Sequence, residues 1–263
     1  MSLKWLIKLE DVTISYKMDV HQNPSRLPNL ASWISNKITR AIIDQSLQQK
    51  TSRIFTPLSG INLDVNEGEF LSISGPNGSG KTSLLKVMSG IMQPFKGKVS
   101  WQAINFGFVS QYQILLPELN IRENILLPFY LYKERHEHNG TFLENLNIDD
   151  LHKKLDDYVK RFKIEDILEK HPATCSIGQQ QRALLVRALT MDRDVIFADE
   201  PEQNLDSDGR IELFLSFKEA NTAFKKTIVL VTQEHPDVLK KYASRGIKIK
   251  DNNVVEIFHN GNN

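Results

Sequence analysis

An α/β fold is predicted by three observations. A short apolar run, Glu69-Phe70-Leu71-Ser72-Ile73-Ser74, leads into a glycine-rich octet, and a helical pattern, Ser83-Leu84-Leu85-Lys86-Val87-Met88, follows it. Two more runs, Asp194-Val195-Ile196-Phe197-Ala198 and Thr227-Ile228-Val229-Leu230-Val231, are continuously apolar, as expected of strands covered on both faces. A helical pattern over residues 209–224 separates these two runs and completes a βαβ unit.

The other elements follow along the chain. Residues 7–16 alternate in places like a half-exposed strand. Residues 61–65 alternate cleanly, and Asn66-Glu67-Gly68 turns the chain into the next strand. Val99-Ser100-Trp101 and Phe106-Gly107-Phe108-Val109 read as short strands. Residues 117–172 are mostly helical in pattern, with a polar break at 136–140. Within them, Leu151, Leu155, Val159, Phe162 and Ile167 keep close to helical spacing over residues 149–170. Residues 179–189 form another amphipathic helix. Ile247-Lys248-Ile249 and Val254-Val255-Glu256-Ile257 flank Asp251-Asn252-Asn253 as a closing hairpin. Residues 260–263 read as a loose tail.

Composition narrows the class. A chain of 263 residues is long enough to bury a full core. Apolar residues make up 40% and charged residues 25%, ordinary for a soluble globular protein. The formal net charge of +1 provides no pull toward nucleic acid, so no nucleic-acid partner is expected. The single cysteine, Cys175, excludes an internal disulfide and fits a reducing cytoplasm. No run approaches the ~20 apolar residues of a membrane span, and the first residues lack the apolar core of a signal peptide. Any membrane role is therefore expected to come through a partner.

The octet Gly75-Pro76-Asn77-Gly78-Ser79-Gly80-Lys81-Thr82 has the spacing of a phosphate-binding P-loop between a strand and a helix. Gly75, Gly78 and Gly80 let the backbone curl so that successive N–H groups point inward. The helix N-terminus adds partial positive charge at the same place. Lys81 is then placed to reach the β/γ-phosphates, and the Thr82 hydroxyl to hold Mg²⁺. Further along, the strand ending at Ala198 presents two carboxylates, Asp199 and Glu200. Asp199 suits a Mg²⁺ contact, and Glu200 a base that activates the attacking water. The bland alternatives are a glycine-rich turn and an acidic strand end meeting Pro201.

With these motifs in place the chain resembles the ATP-binding-cassette (ABC) ATPases over nearly its whole length. Cys175-Ser176-Ile177-Gly178-Gln179-Gln180-Gln181-Arg182 matches that family's signature, and Gln203-Asn204-Leu205-Asp206 its D-loop. The resemblance implies an α/β P-loop NTPase (RecA-like) core with an antiparallel β subdomain and an inserted α-helical subdomain. The core would take residues 1–110 and 185–263, the helical subdomain 111–184, and an extra segment 18–53. It also implies ATP and Mg²⁺ as cofactors, a transmembrane permease and a second ATPase subunit as partners, and a place at the cytoplasmic face of the cell membrane. Nucleotide contacts are implied for Tyr16, stacked on adenine, and for Gly75, Asn77, Gly78, Ser79, Gly80, Lys81, Thr82, Ser83 and Gln111. Metal contacts are implied for Thr82, Gln111 and Asp199. Ser176, Gly178 and Gln179 would close over a nucleotide held by the partner subunit, with the D-loop's Asp206 beside them. Read without the family, Ser176 is an ordinary helix N-cap.

Two departures from the pattern bear on activity. Ile177 stands where the family more often has glycine, a strained choice if that position needs positive φ. Val231-Thr232-Gln233-Glu234 falls where the family usually has Thr-His-Asp, so Gln233 replaces a histidine that contacts the γ-phosphate. Gln233 still donates a hydrogen bond but carries no charge, and slow hydrolysis is expected. His235 is a substitute only if the loop shifts. Two other readings stay open: a weakly active subunit of a heterodimer, and a regulatory or mechanical ABC ATPase that moves no cargo.

The segment 18–53 is longer than an ordinary connection. Leu30, Trp33, Ile34, Ile38, Ala41 and Ile42 share one face of a helix expected over residues 29–49, with Lys37 and Arg40 beside it. That face either packs on this protein's own sheet or lies at a membrane surface or permease. Its placement resembles polysaccharide- and teichoic-acid-exporter ATPases. Residues 115–128 and the 198–206 run instead resemble lipoprotein-releasing and macrolide-export ATPases. The cargo therefore stays open among lipid-like, lipoprotein-like and polysaccharide classes.

Overall fold

The computed structural model describes residues 4–19, 52–102, 105–110, 115–136 and 148–260. Strands β1 (Trp5–Asp19) and β2 (Ser52–Asn66) pair antiparallel, and β4 (Lys96–Trp101) pairs on the other side of β1. The pairing reaches Asp19 opposite Ser52, so the ribbon takes in both ends of the segment 18–53. The helix expected over 29–49 lies outside the described residues.

The second sheet has the order β5-β6-β7-β3-β8-β9: β5 (Phe106–Ser110), β6 (Val195–Asp199), β7 (Thr227–Val231), β3 (Phe70–Ser74), β8 (Arg245–Lys250) and β9 (Asn253–His259). All neighbours are parallel except the β8–β9 hairpin. The apolar runs of β6 and β7 explain its place in the middle. Ile196, Ala198, Ile228 and Leu230 face one core, while Val195, Phe197, Val229 and Val231 face the other. A period of two splits each strand between two layers, and both layers exclude water.

One core lies between this sheet, helix α1 (Lys81–Met88) and the antiparallel sheet. The other holds α2 (Ile121–His136), α3 (Ile148–Arg161), α4 (Ile177–Thr190) and α5 (Ser207–Thr222). A one-turn helix, α6 (Pro236–Leu239), follows β7. Fully buried Asn124 ties the chain before α2 to that helix. Its Oδ1 accepts from Leu116 N at 2.7 Å, and its Nδ2 donates to the carbonyls of Leu116, Leu119 and Asn120, each at 3.0 Å.

Two expectations are corrected. The helix expected over 149–170 stops at Arg161. Lys163 takes φ 52, its N–H bonds the Lys160 carbonyl, and Ile164 N reaches Val159 O. This is a Schellman stop built without glycine, closed by the burial of Ile164 and Val159 together. A short 3₁₀ turn at Glu165–Ile167 carries the remaining periodicity. Asn260 is not loose either: its Nδ2 donates to the carbonyls of Lys240 (2.8 Å) and Ala243 (3.0 Å).

Candidate nucleotide-binding site

The loop between β3 and α1 takes the conformation its glycines permit. Gly75, Gly78 and Gly80 have φ of 150, 76 and 100°. At Gly80 a side chain would also meet Pro57 and Leu58 at 3.1–3.2 Å, so the loop is held against β2. Gly80 caps α1 through its backbone alone. The Ser79 hydroxyl is buried in the loop without a hydrogen-bond partner.

Lys81 is 4% exposed. Its ammonium donates to the Gly75 and Pro76 carbonyls at 3.0 and 3.3 Å and lies 3.3 Å from Glu200 Oε1. Its neighbour Thr82 donates from Oγ1 to Asp199 Oδ1 at 3.0 Å. The P-loop thus meets the acidic end of β6, although 117 residues separate Thr82 from Asp199. Burial pushes the Asp199 carboxyl above its usual range, and the Thr82 hydrogen bond opposes this.

Glu200 begins a tight turn at φ 47, with its N–H on Val231 O at 2.8 Å. Gln233, leaving the end of β7, donates from Nε2 to Glu200 Oε2 at 2.7 Å. His235 does not reach Glu200. Its ring caps α6, accepting from Asp237 N at 3.3 Å. The Tyr16 hydroxyl donates to Ser83 Oγ at 2.7 Å, which sets the ring over the first turn of α1. Gln111 lies outside the described residues.

The open cleft beside the loop has a volume of about 740 Å³. Residues 74–79 and Gln233 line it, together with Phe55 and the 248–252 turn, which sequence reasoning missed. Phe55 pairs directly with Tyr16 across the β1–β2 ribbon. That pairing carries no sequence signal, since residues 20–51 lie between the two strands. Glu202 was missed as well, although it stands only two residues past Glu200. Only its depth, at 7% exposure, sets it apart from a surface acid.

The signature residues occupy a different face. Ser176 Oγ accepts from Gln179 N at 3.2 Å, and Gln179 Oε1 accepts from Ser176 N at 2.9 Å, making a capping box at the start of α4. Ile177 opens that helix without positive φ, so the expected strain is absent. Asp206 caps α5 through Gly209 N at 2.8 Å. Ser176, Gly178, Gln179 and Asp206 line one cleft together, and none of residues 75–82 lines it.

A glycine cradle, an orphaned buried hydroxyl, a buried ammonium and paired hydroxyl and carboxylate oxygens suit a phosphate chain with a hard divalent cation. Mg²⁺ prefers one or two protein oxygens beside the phosphates, and Thr82 and Asp199 supply that donor set. Fold and site together define a P-loop nucleotide-binding protein of the cassette type. Residues 58–203 match the family model described as ABC transporter, and the chain belongs to that family. The family binds and hydrolyses ATP, with Mg²⁺ the nucleotide's usual partner.

The chain is similar to the bacitracin export ATP-binding protein BceA of Halalkalibacterium halodurans, at 34% identity over 78% of this chain and 81% of that protein. It is also similar to the lipoprotein-releasing system ATP-binding protein LolD of Aquifex aeolicus, at 32% identity over 79% of this chain and 93% of that protein. Among solved structures, it resembles the dimeric post-hydrolysis cassette MJ0796 bound to ADP and Pi. The TM-score is 0.68 at 27% identity, covering 96% of this chain and 98% of that one. No helix among the described residues is long and apolar enough to cross a membrane.

Proposed function

We propose that this chain hydrolyses ATP to ADP and phosphate as the motor subunit of a membrane transporter, working with a second cassette and a separate permease. The observation that carries the reading is the junction of the P-loop with the acidic strand end: Thr82 on Asp199 at 3.0 Å and Lys81 on Glu200 at 3.3 Å. In the reaction, Lys81 exchanges the loop carbonyls and Glu200 for β/γ-phosphate oxygens. Glu200 is then free to accept a proton from the attacking water, whose oxygen bonds phosphorus as ADP leaves. The N–H groups of residues 75–82 hold the phosphates, Tyr16 stacks on adenine, and Ser83 supports the Tyr16 ring. Thr82 and Asp199 would hold Mg²⁺, which neutralises charge on the phosphate oxygens. Gln233 orients Glu200 and, having no charge of its own, leaves turnover slow.

Ser176, Gly178 and Gln179, with Asp206, face the partner cassette's nucleotide, so ATP links two subunits and hydrolysis releases them. The dimeric neighbour bound to ADP and Pi supports this arrangement. Relatives named for bacitracin export and for lipoprotein release support an exported or extracted cargo of lipid-like or lipoprotein-like character, with the subunit at the cytoplasmic face of the membrane through its permease.

Magnesium-dependent ATP turnover by the native protein is the test. Lys81→Ala is expected to remove nucleotide binding in calorimetry. Glu200→Gln is expected to keep binding while lowering turnover at least ~10²-fold. Native turnover no faster than that of Glu200→Gln would overturn the hydrolytic reading. A permease-bound ATPase that moves no cargo in vesicles would point to a regulatory role instead.

A further inference from the structure

Glu202 lies at the back of the site, 7% exposed, on the turn that begins at Glu200. Its Oε1 accepts from the Thr232 hydroxyl and from Gln233 N, the latter at 3.3 Å. Thr232 Oγ1 in turn accepts from Glu234 N at 3.0 Å. One carboxylate oxygen therefore holds Thr232 and Gln233 of the loop after β7 directly, and Glu234 through Thr232. The middle one, Gln233, places its amide 2.7 Å from Glu200. The other oxygen, Oε2, is buried with no hydrogen-bond partner. Burying a carboxyl this deeply is unfavourable, and a purely structural site of this kind is readily filled by an apolar side chain. The turn is fixed at both ends: Gln203 N bonds Glu200 O at 3.2 Å, and Leu205 N bonds Glu202 O at 3.1 Å. Asn204, at φ 68, leads through Leu205 to Asp206 at the start of α5.

We propose that Glu202 is a positioning residue for hydrolysis, clamping the 232–234 loop so that Gln233 stays on Glu200. The clamp rests on the hydrolytic reading above. It adds a mechanical link, because the same turn carries residues 204–206, which that reading turns toward the partner cassette. Movement of those residues would shift Glu202, and with it the 232–234 loop that carries Gln233. The small cavity of about 210 Å³ lined by Glu200, Glu202, Asn204, Arg210, Gln233 and Glu234 leaves room for that shift.

Six proteins decide the question: native, Glu202→Leu and Glu202→Gln, each with Gln233 and with Gln233→Ala. Glu202→Leu keeps the volume but removes the acceptor, and it is expected to lower kcat about 10-fold while ATP affinity stays within about 2-fold. Glu202→Gln retains an acceptor oxygen and is expected to recover most of that loss. On the Gln233→Ala background, Glu202→Leu should change kcat by less than about 2-fold, since two residues acting as a unit are not additive. A second readout needs no hydrolysis. The Gln233 side-chain amide signal in nitrogen-15 NMR, assigned by its loss in Gln233→Ala, should move in Glu202→Leu and hold in Glu202→Gln. An unmoved signal in Glu202→Leu, or an equal fall in kcat with and without Gln233, overturns the clamp. Failure of native turnover with the signal shifting as expected counts against the hydrolytic reading alone.

Discussion

Gln233 donates to Glu200 at 2.7 Å, from a loop that follows β7 to a turn that follows β6. The two strands are neighbours in the sheet, with Asp199 opposite Val231, so both loops leave at the same height. Lys81 holds the other oxygen of Glu200 at 3.3 Å. In this arrangement both oxygens of the Glu200 carboxylate are occupied.

That occupancy makes Gln233 a tuning position. Gln233→Ala is expected to lower kcat about 10-fold with little change in ATP affinity. Gln233→His, which restores a titratable donor to the same place, is expected to raise kcat several-fold over native. Steady-state ATPase assays at saturating ATP check both. Equal rates for all three proteins would remove Gln233 from the chemistry.

Ser176→Ala separates the local cap from the proposed contact with the partner's nucleotide. Loss of the cap costs about 1 kcal/mol, a fall in Tm of roughly 2–4 °C for a chain of this size. Loss of the contact should in addition weaken ATP-dependent dimer formation by Glu200→Gln in sedimentation. A fall in Tm with the dimer intact would restrict Ser176 to its capping role.

Lys163 holds a left-handed conformation with its side chain exposed. Lys163→Gly should therefore stabilise the protein by about 1 kcal/mol in urea unfolding, because glycine lacks the Cβ that opposes this conformation.

Burial and the nearby Asp192 and Asp157 carboxylates push the Tyr158 hydroxyl up to about 12 from 10.0. The folded state then keeps a proton that the unfolded chain loses above pH 10. Tyr158's contribution is fully present below that pH and fades as pH rises toward about 12. From pH 10 to 11 the stability should fall by up to about 1 kcal/mol more in native protein than in Tyr158→Phe, as measured by urea unfolding.

Several parts of the site were legible because the information is local. The glycines of 75–80 report a backbone conformation, and Lys81 and Thr82 follow within the same turn. The apolar runs of β6 and β7 report burial on both faces. The end of α3 was misread because Ile164 and Ile167 continue the apolar pattern. Only the positive φ at Lys163 ends the helix, and lysine gives no warning of it.

The P-loop, the acidic strand end and the helix start at Ser176 can be read from contiguous residues, since each follows from their local backbone preferences. Long-range packing is what brings Gln233 rather than His235 to Glu200, sets Phe55 beside Tyr16 and buries Glu202 beneath the loop. These outcomes depend on sheet order and register, which bring together residues tens to hundreds of positions apart. No local preference encodes which side chain will fill a space formed by distant strands.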